Sequence, residues 1–316
     1  ENKMITPNET RLAKHCISHA KACGASAARV YLNKCVTDSY TILNGELDKV
    51  THSADRSIYI YLYVDGRYGT FSTNRLEEKE LEGFVEKAIE MVRMLGEDEC
   101  RQLPDPSRTA KDAITGFELG LYDSCYESMD SEIRLANAHK LSIYNKIVND
   151  PEEKPYRLIS EECEYSCTSD ESYTTDSQGF EGRHNETAFG TFSEMTIQDK
   201  EGNRYSGYWW QATPMAAETD FENCGMMALE RAVNQIGPKK RRSGRYRMVV
   251  DTSVATRLIS PLLTALNSAS IQQKMSFLEG TKGTKVFHEG MTLMDLARTP
   301  GKNGSRLYDT EGIATK

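Results

Sequence analysis

Residues 58–64 read Ile-Tyr-Ile-Tyr-Leu-Tyr-Val, an unbroken two-residue alternation that an extended strand turns into two chemically different faces. Ile58, Ile60, Leu62 and Val64 fall on one side, and Tyr59, Tyr61 and Tyr63 on the other. The aliphatic side is expected to be core. The tyrosine side is expected to face a second layer, of helices or of a partner. Asn44-Gly45 and Asp65-Gly66 each sit between apolar runs, and such pairs accept the positive φ of a two-residue hairpin turn. Strands are therefore predicted over 27–35, 38–44, 47–52, 57–64 and 67–72.

Helical periodicity brackets this β region. Residues 9–22 are predicted helical, with Asn8 as the cap and Gly24 as the stop. Over 77–95 the residues Leu81, Phe84, Val85, Ala88, Ile89, Val92 and Leu95 recur at helical spacing among charged positions. A helix over 130–148 opens at Asp130 and ends before Asp150-Pro151. A second β region runs from 156 to about 213, and a helix over 220–236 ends at Gly237-Pro238. Hairpin, strand and amphipathic helix thus occur twice in the same order, once after Asp65-Gly66-Arg67-Tyr68-Gly69 and once after Lys200-Glu201-Gly202-Asn203-Arg204-Tyr205-Ser206-Gly207. This is a candidate internal repeat.

The expected fold class is α+β, an N-terminal domain over 1–238 built of antiparallel sheet with packed helices. The polar stretch 237–247 marks the boundary. A β-rich C-terminal domain, incomplete, is expected to start over 239–316. It would hold a strand at 248–250, a helix at 252–267, short strands near 284–287 and 291–294, and the approach to another strand at 308–316.

Composition limits the function. Of 316 residues, 39 are Lys or Arg and 47 are Asp or Glu, so the net charge of −8 argues against direct nucleic-acid binding. No run approaches the ~20 apolar residues of a membrane helix, and no signal peptide is visible. The eight cysteines include no CxxC pair and are read as reduced thiols, with a cytoplasmic location expected.

No residue pattern identifies an active site, a cofactor site or a metal site. His15 and His19 share one helical face, but Cys16 stands where a zinc motif has Glu, and no third ligand is suggested nearby. His288-Glu289 begins like a zinc-peptidase motif, but Thr292 and Leu293 follow where a second His is needed. Cys163 and Cys167 share a strand face and read as packing residues. Residues 150–186 hold eleven acidic residues against Lys154, Arg157 and Arg183, which fits either a solvated β edge or a surface for a cationic peptide. The cluster Lys239, Lys240, Arg241, Arg242, Arg245 and Arg247 reads as a solvated linker. Gly179, Gly182 and Gly190 lack the lysine and helix of a phosphate loop, and no GxSxG elbow occurs.

Five segments, in order, resemble one family. They are Thr41–Val50, Val64-Asp65-Gly66-Arg67-Tyr68-Gly69-Thr70-Phe71-Ser72-Thr73, Asp176-Ser177-Gln178-Gly179, Ser276-Phe277-Leu278-Glu279-Gly280-Thr281-Lys282-Gly283, and Gly304-Ser305-Arg306-Leu307-Tyr308-Asp309-Thr310-Glu311-Gly312. The family is TldD/PmbA, also called modulator of DNA gyrase. In the third segment Asp176 stands where the family pattern has Asn. TldD-type chains of the family carry a zinc-binding HExxxH helix; TldE/PmbA-type chains lack it and pair with a TldD-type chain in one peptidase. The corresponding stretch here, Leu258–Leu266, has neither His nor Glu. The resemblance therefore implies a TldE/PmbA-like subunit of a cytoplasmic zinc-dependent peptidase complex. Its partner would be a TldD-like metallopeptidase subunit that holds the zinc, its substrate an unfolded peptide, and in isolation it would form a homodimer. The alternative implied is a regulatory protein that modulates DNA gyrase through protein contacts.

Overall fold

The structure, a computed structural model, describes residues 5–98 and 100–316. Two compact units are formed: Glu1–Gly237 with Leu296–Lys316, and Pro238–Asp295. The first unit is built on one six-stranded antiparallel sheet. Its elements are α1 (Pro7–Ala22), β1 (Ala27–Leu43), β2 (Glu46–Val64), β3 (Arg67–Thr73), α2 (Glu78–Arg93), the short α3 (Cys125–Ser128), α4 (Ser131–Leu141), α5 (Tyr144–Val148), β4 (Tyr156–Asp176), β5 (Glu181–Asp199), β6 (Arg204–Thr213) and α6 (Asn223–Val233). The α+β class and the antiparallel sheet with packed helices are thus as the sequence implies.

Strand order is β3-β2-β1-β4-β5-β6. The sheet is therefore two three-stranded meanders joined along the antiparallel β1·β4 pair, each followed by a helix. Hairpin, strand and helix thus follow one another in the same order in both halves. Gly69 on β3 and Gly207 on β6 mark equivalent places, where a helix crosses close over the strand. A Cβ at Gly69 would lie 2.7 Å from the Val92 side chain of α2, and one at Gly207 would lie 2.3 Å from the Ala232 backbone of α6.

One face of the sheet carries the helices. Ile58, Ile60, Leu62 and Val64 are fully buried there with Val30, Leu32 and the apolar stripes of α1 and α2. The β4–β6 half packs Cys163, Tyr165, Cys167, Phe189, Met195 and Ile197 against α4 and α6. The other face carries Tyr59, Tyr61 and Tyr63. Its second layer is made of irregular chain, where Ala110, Ala113, Leu119, Leu121, Phe180, Leu307 and Tyr308 cluster.

Several boundaries differ from the expected ones for local reasons. The pairs 27–35/38–44 and 47–52/57–64 fuse into the single strands β1 and β2, because their registers run on without a turn. α1 is capped by Thr6, not Asn8. The Thr6 hydroxyl accepts from Glu9 N at 3.2 Å while Glu9 accepts from Thr6 N at 2.7 Å, and Pro7 fills the first helical position. Asn8 instead accepts from Arg11. The predicted helix 130–148 is split into α4 and α5. Ser142 is extended, and the fully buried Glu161 accepts hydrogen bonds from Ile143 N at 2.8 Å and Tyr144 N at 3.1 Å, restarting the helix.

The second unit contains α7 (Ala255–Leu266) and α8 (Ser268–Gln272). The β-rich character expected after residue 239 is not formed there. Residues 248–250, 284–287 and 291–294 are not strands, because no neighbouring strand in the unit offers them a hydrogen-bond ladder, and Met248 and Val249 stand exposed. Residues 308–316 make two isolated bridges, Thr109–Ile313 and Tyr308–Ala314, within the first unit.

Candidate functional site

The family-like motifs are structural. Asn44 (φ 52) and Gly45 (φ 86), and Asp65 (φ 50) and Gly66 (φ 72), form the two left-handed turns. Arg67 then donates to Leu95 O and to Glu97, which fastens the end of α2. Asp176 accepts from Gln178 N at 2.8 Å and Phe180 N at 3.0 Å, closing the β4–β5 turn, a task its carboxylate performs as an amide oxygen would. Ser276 accepts from Leu278 N and donates to Ala265 O, so the Ser-Phe-Leu-Glu-Gly block anchors on α7.

The candidate surface is the face of the sheet opposite the helices. At its centre Arg306 donates to Glu186 twice, at 2.9 and 3.0 Å, and its Nη1 lies 2.5 Å from His184 Nε2. Burial pushes the Glu186 carboxyl up, but His184, 3.5 Å away, and the two hydrogen bonds from Arg306 outweigh it and hold the group at about 2. Next to them Asn33 donates to Asp170 at 3.1 Å. Burial, with Asp170 nearby, raises both the Tyr31 phenol, to about 12, and the Cys35 thiol. A raised phenol or thiol is the opposite of an activated nucleophile, which needs a lowered value.

Towards β6 the same face becomes acidic and aromatic. Glu162 is directly opposite Glu194, Glu194 is opposite Tyr208, and Phe192 is opposite Trp210. Trp210 is 58% and Tyr208 40% exposed, and Glu162 and Glu194 are exposed. The acidic excess of 150–186 is thereby divided. Glu161 and Glu171 are buried acceptors on the helix side, while Glu162 and Glu164 face the open side.

The sheet also has an open edge. β3 pairs only with Ile58–Val64, so residues 47–57 of β2 bond to β1 on one side alone. The equivalent half of β5 is covered, because Arg183, Asn185 and Thr187 donate to Ala113, Gly116 and Leu121.

The residues singled out by sequence scatter differently. His15 and His19 lie against α2, where His15 meets Glu82 at 2.8 Å and His19 meets Glu86 at 3.1 Å. The two histidines do not share a group: His19 falls together with Cys23 and Glu86, and His15 with Glu78 and Glu82. His288 belongs to no group of candidate metal ligands among the described residues. Cys163 and Cys167 are buried packing residues, as expected, and all eight cysteines are thiols. The basic cluster 239–247 is exposed and outside any helix or strand. Gly182 lies under the Tyr308 ring, where a Cβ would come within 2.8 Å, which is packing and not phosphate binding. α7 contains no His, Cys, Asp or Glu. It borders an apolar cavity of about 510 Å³ lined by Leu262, Leu266, Ile271, Phe287 and Met291. The acidic and aromatic strip was missed in the sequence, although 162/164, 192/194 and 208/210 show the strand spacing that places them together.

Two family models match the chain: PmbA/TldA metallopeptidase domain 1 over residues 28–92 and PmbA/TldA metallopeptidase C-terminal domain over 243–316. A solved structure from Bacteroides thetaiotaomicron that carries the designation modulator of DNA gyrase is 34% identical. It aligns over 99% of this chain and 69% of that one with a TM-score of 0.89. The chain belongs to the PmbA/TldD family. TldE from Thermococcus kodakarensis shares the PmbA/TldD fold at 17% identity, with a TM-score of 0.70 over 96% of this chain and 66% of its own. Metalloprotease PmbA of Escherichia coli O157:H7 is 22% identical over 298 residues, 92% of this chain and 63% of that protein. The PmbA homolog of Buchnera aphidicola is 21% identical over 96% of this chain and 66% of its own. The chain thus spans about two thirds of the length of the PmbA relatives it matches. No described helix is long and apolar enough to cross a membrane.

Proposed function

We propose that this chain is a PmbA/TldE-type subunit of a cytoplasmic zinc-dependent peptidase, itself without the catalytic metal. The observation that carries this reading is α7, the helix at the place of the HExxxH segment, which offers no donor atom of the kind zinc binds. A TldD-type partner supplies the zinc, which polarises the peptide carbonyl and activates water. This chain holds the substrate. An unfolded peptide adds to the open edge of β2 as a further strand, or lies on the strip of Glu162, Glu194, Tyr208 and Trp210, which selects basic and aromatic residues. Residues 239–316 are then the opening part of the C-terminal domain, and without a TldD-type chain the protein pairs with itself. The test is hydrolysis of an unfolded basic peptide by this chain, by a TldD-type chain, and by the two mixed. Chelator-sensitive turnover in the mixture and none by this chain alone is expected. Chelator-sensitive turnover by this chain alone overturns the assignment.

The designation of the Bacteroides thetaiotaomicron relative favours one second reading, a direct regulator of DNA gyrase acting through protein contacts. A change in supercoiling rate on adding this chain to purified gyrase, with no peptidase partner present, supports it.

A further inference from the structure

The contact between α1 and α2 has a line of metal-binding side chains along it that the proposed function does not use. His19 and Cys23 are four residues apart at the end of α1, and Glu86 reaches them from the middle of α2. His19 Nε2 lies 3.6 Å from Cys23 Sγ and 3.1 Å from Glu86 Oε1, and the three donor atoms all fall within 4.8 Å of one another. A tetrahedral zinc ion with bonds of ~2.0–2.3 Å holds its donors about 3.3–3.7 Å apart. The three atoms are therefore already near the spacing of a coordination shell, without movement of either helix. One turn earlier, His15, Glu78 and Glu82 form a second group. There Glu78 is already bound by Arg11 at 2.9 Å, and no sulfur is present.

We propose that His19, Cys23 and Glu86 bind a zinc-class transition-metal ion, with water completing the shell. The thiolate and imidazole exclude magnesium and calcium, which take oxygen ligands, and select zinc or its neighbours. The ion ties the last turn of α1 to α2, and binding releases the thiol proton to solvent. The site is accessible: the His19 side chain is 19% and the Glu86 side chain 58% exposed, and Cys23 is partly buried. It takes no part in peptide hydrolysis.

The test is titration of the reduced, metal-free 316-residue chain with cobalt(II), followed by zinc. One equivalent of cobalt is expected to give a thiolate-to-metal charge-transfer band, which stoichiometric zinc abolishes. Cys23→Ser removes the band, and His19→Ala and Glu86→Gln weaken cobalt binding at least tenfold. His15→Ala leaves it within twofold. Glu86→Gln alters an exposed side chain and so tests the site without disturbing the fold; its zinc-induced rise in melting temperature should be smaller than the parent's. Absence of the band in the parent chain, or its persistence in Cys23→Ser through another cysteine, overturns the proposal.

Discussion

Arg306 grips Glu186 with two parallel hydrogen bonds, 2.9 and 3.0 Å long, and so ties the C-terminal segment to the first third of β5. The pair is half-buried, with the Glu186 side chain 17% and the Arg306 side chain 37% exposed. Its carboxyl lies at about 2 instead of 4.5. A lowered acid stabilises the fold above its unfolded value, and that stability is lost as pH falls towards the folded value. The lowering corresponds to about 3 kcal/mol, which solvent on the arginine side reduces to about 2 kcal/mol. Part of that lowering belongs to His184, so urea titrations should show Arg306→Ala about 1–2 kcal/mol less stable than the parent at pH 6. The difference should shrink between pH 4.5 and pH 2, and a difference independent of pH contradicts the account.

Gly207 and Gly69 occupy equivalent places in the two meanders but face different obstacles. At Gly207 an added methyl meets the backbone of α6, at 2.3 Å from Ala232 N and 2.5 Å from Ala228 O. At Gly69 it meets the side chains of Val92 and Phe71, which can turn aside. Gly207→Ala is expected to cost about 3 kcal/mol or more, and Gly69→Ala about 1–2 kcal/mol. Thermal unfolding of the two variants ranks them, and equal losses would mean that α6 moves as freely as Val92.

Trp210 stands exposed opposite Phe192 and diagonal to Glu194, so its removal should leave stability nearly unchanged. If the strip holds peptides, Trp210→Ala weakens binding of an extended Lys/Phe-rich peptide by about tenfold, or ~1.4 kcal/mol. A Glu162→Gln, Glu194→Gln double variant should flatten the salt dependence of that binding. Fluorescence anisotropy reads both, and unaltered affinity in both variants rules the strip out.

The thiols should separate by burial. Cys100 is exposed, whereas Cys16, Cys163, Cys167 and Cys224 are buried. Burial raises all four buried thiols, Cys16 to about 12 and Cys224 to about 11. Native alkylation read by peptide mass mapping should label Cys100 first and those four only on unfolding. Labelling of Cys163 in the native protein would contradict the packing of β4 against α4 and α6.

Much of this architecture was legible in local pattern. The Ile58–Val64 alternation named the buried face of β2 residue by residue, because period-two chemistry has one structural solution in a sheet. The Asn-Gly and Asp-Gly pairs placed both hairpin turns of the first meander. The Thr6 cap was missed although Thr-Pro-Asn-Glu spells a capping box, since Asn8 is also a good cap and the choice falls to whichever geometry closes both bonds. The strands expected after residue 247 failed for a different reason: short apolar runs specify extended chain only where another strand is present to pair with it.

By itself the sequence determined the strand alternation, the turns, the helix periods, the missing donor atoms of α7 and the family pattern. These depend on neighbours within a few residues or on the identity of single side chains. Only the tertiary structure decided which distant groups meet. It set Glu86 against His19 and Cys23, Arg306 against Glu186, and Trp210 beside the acidic strip, and it left residues 47–57 of β2 paired on one side alone, to β1. Those pairings follow from how two meanders join along β1 and β4. That is a matter of register between residues more than a hundred positions apart, and no local spacing encodes it.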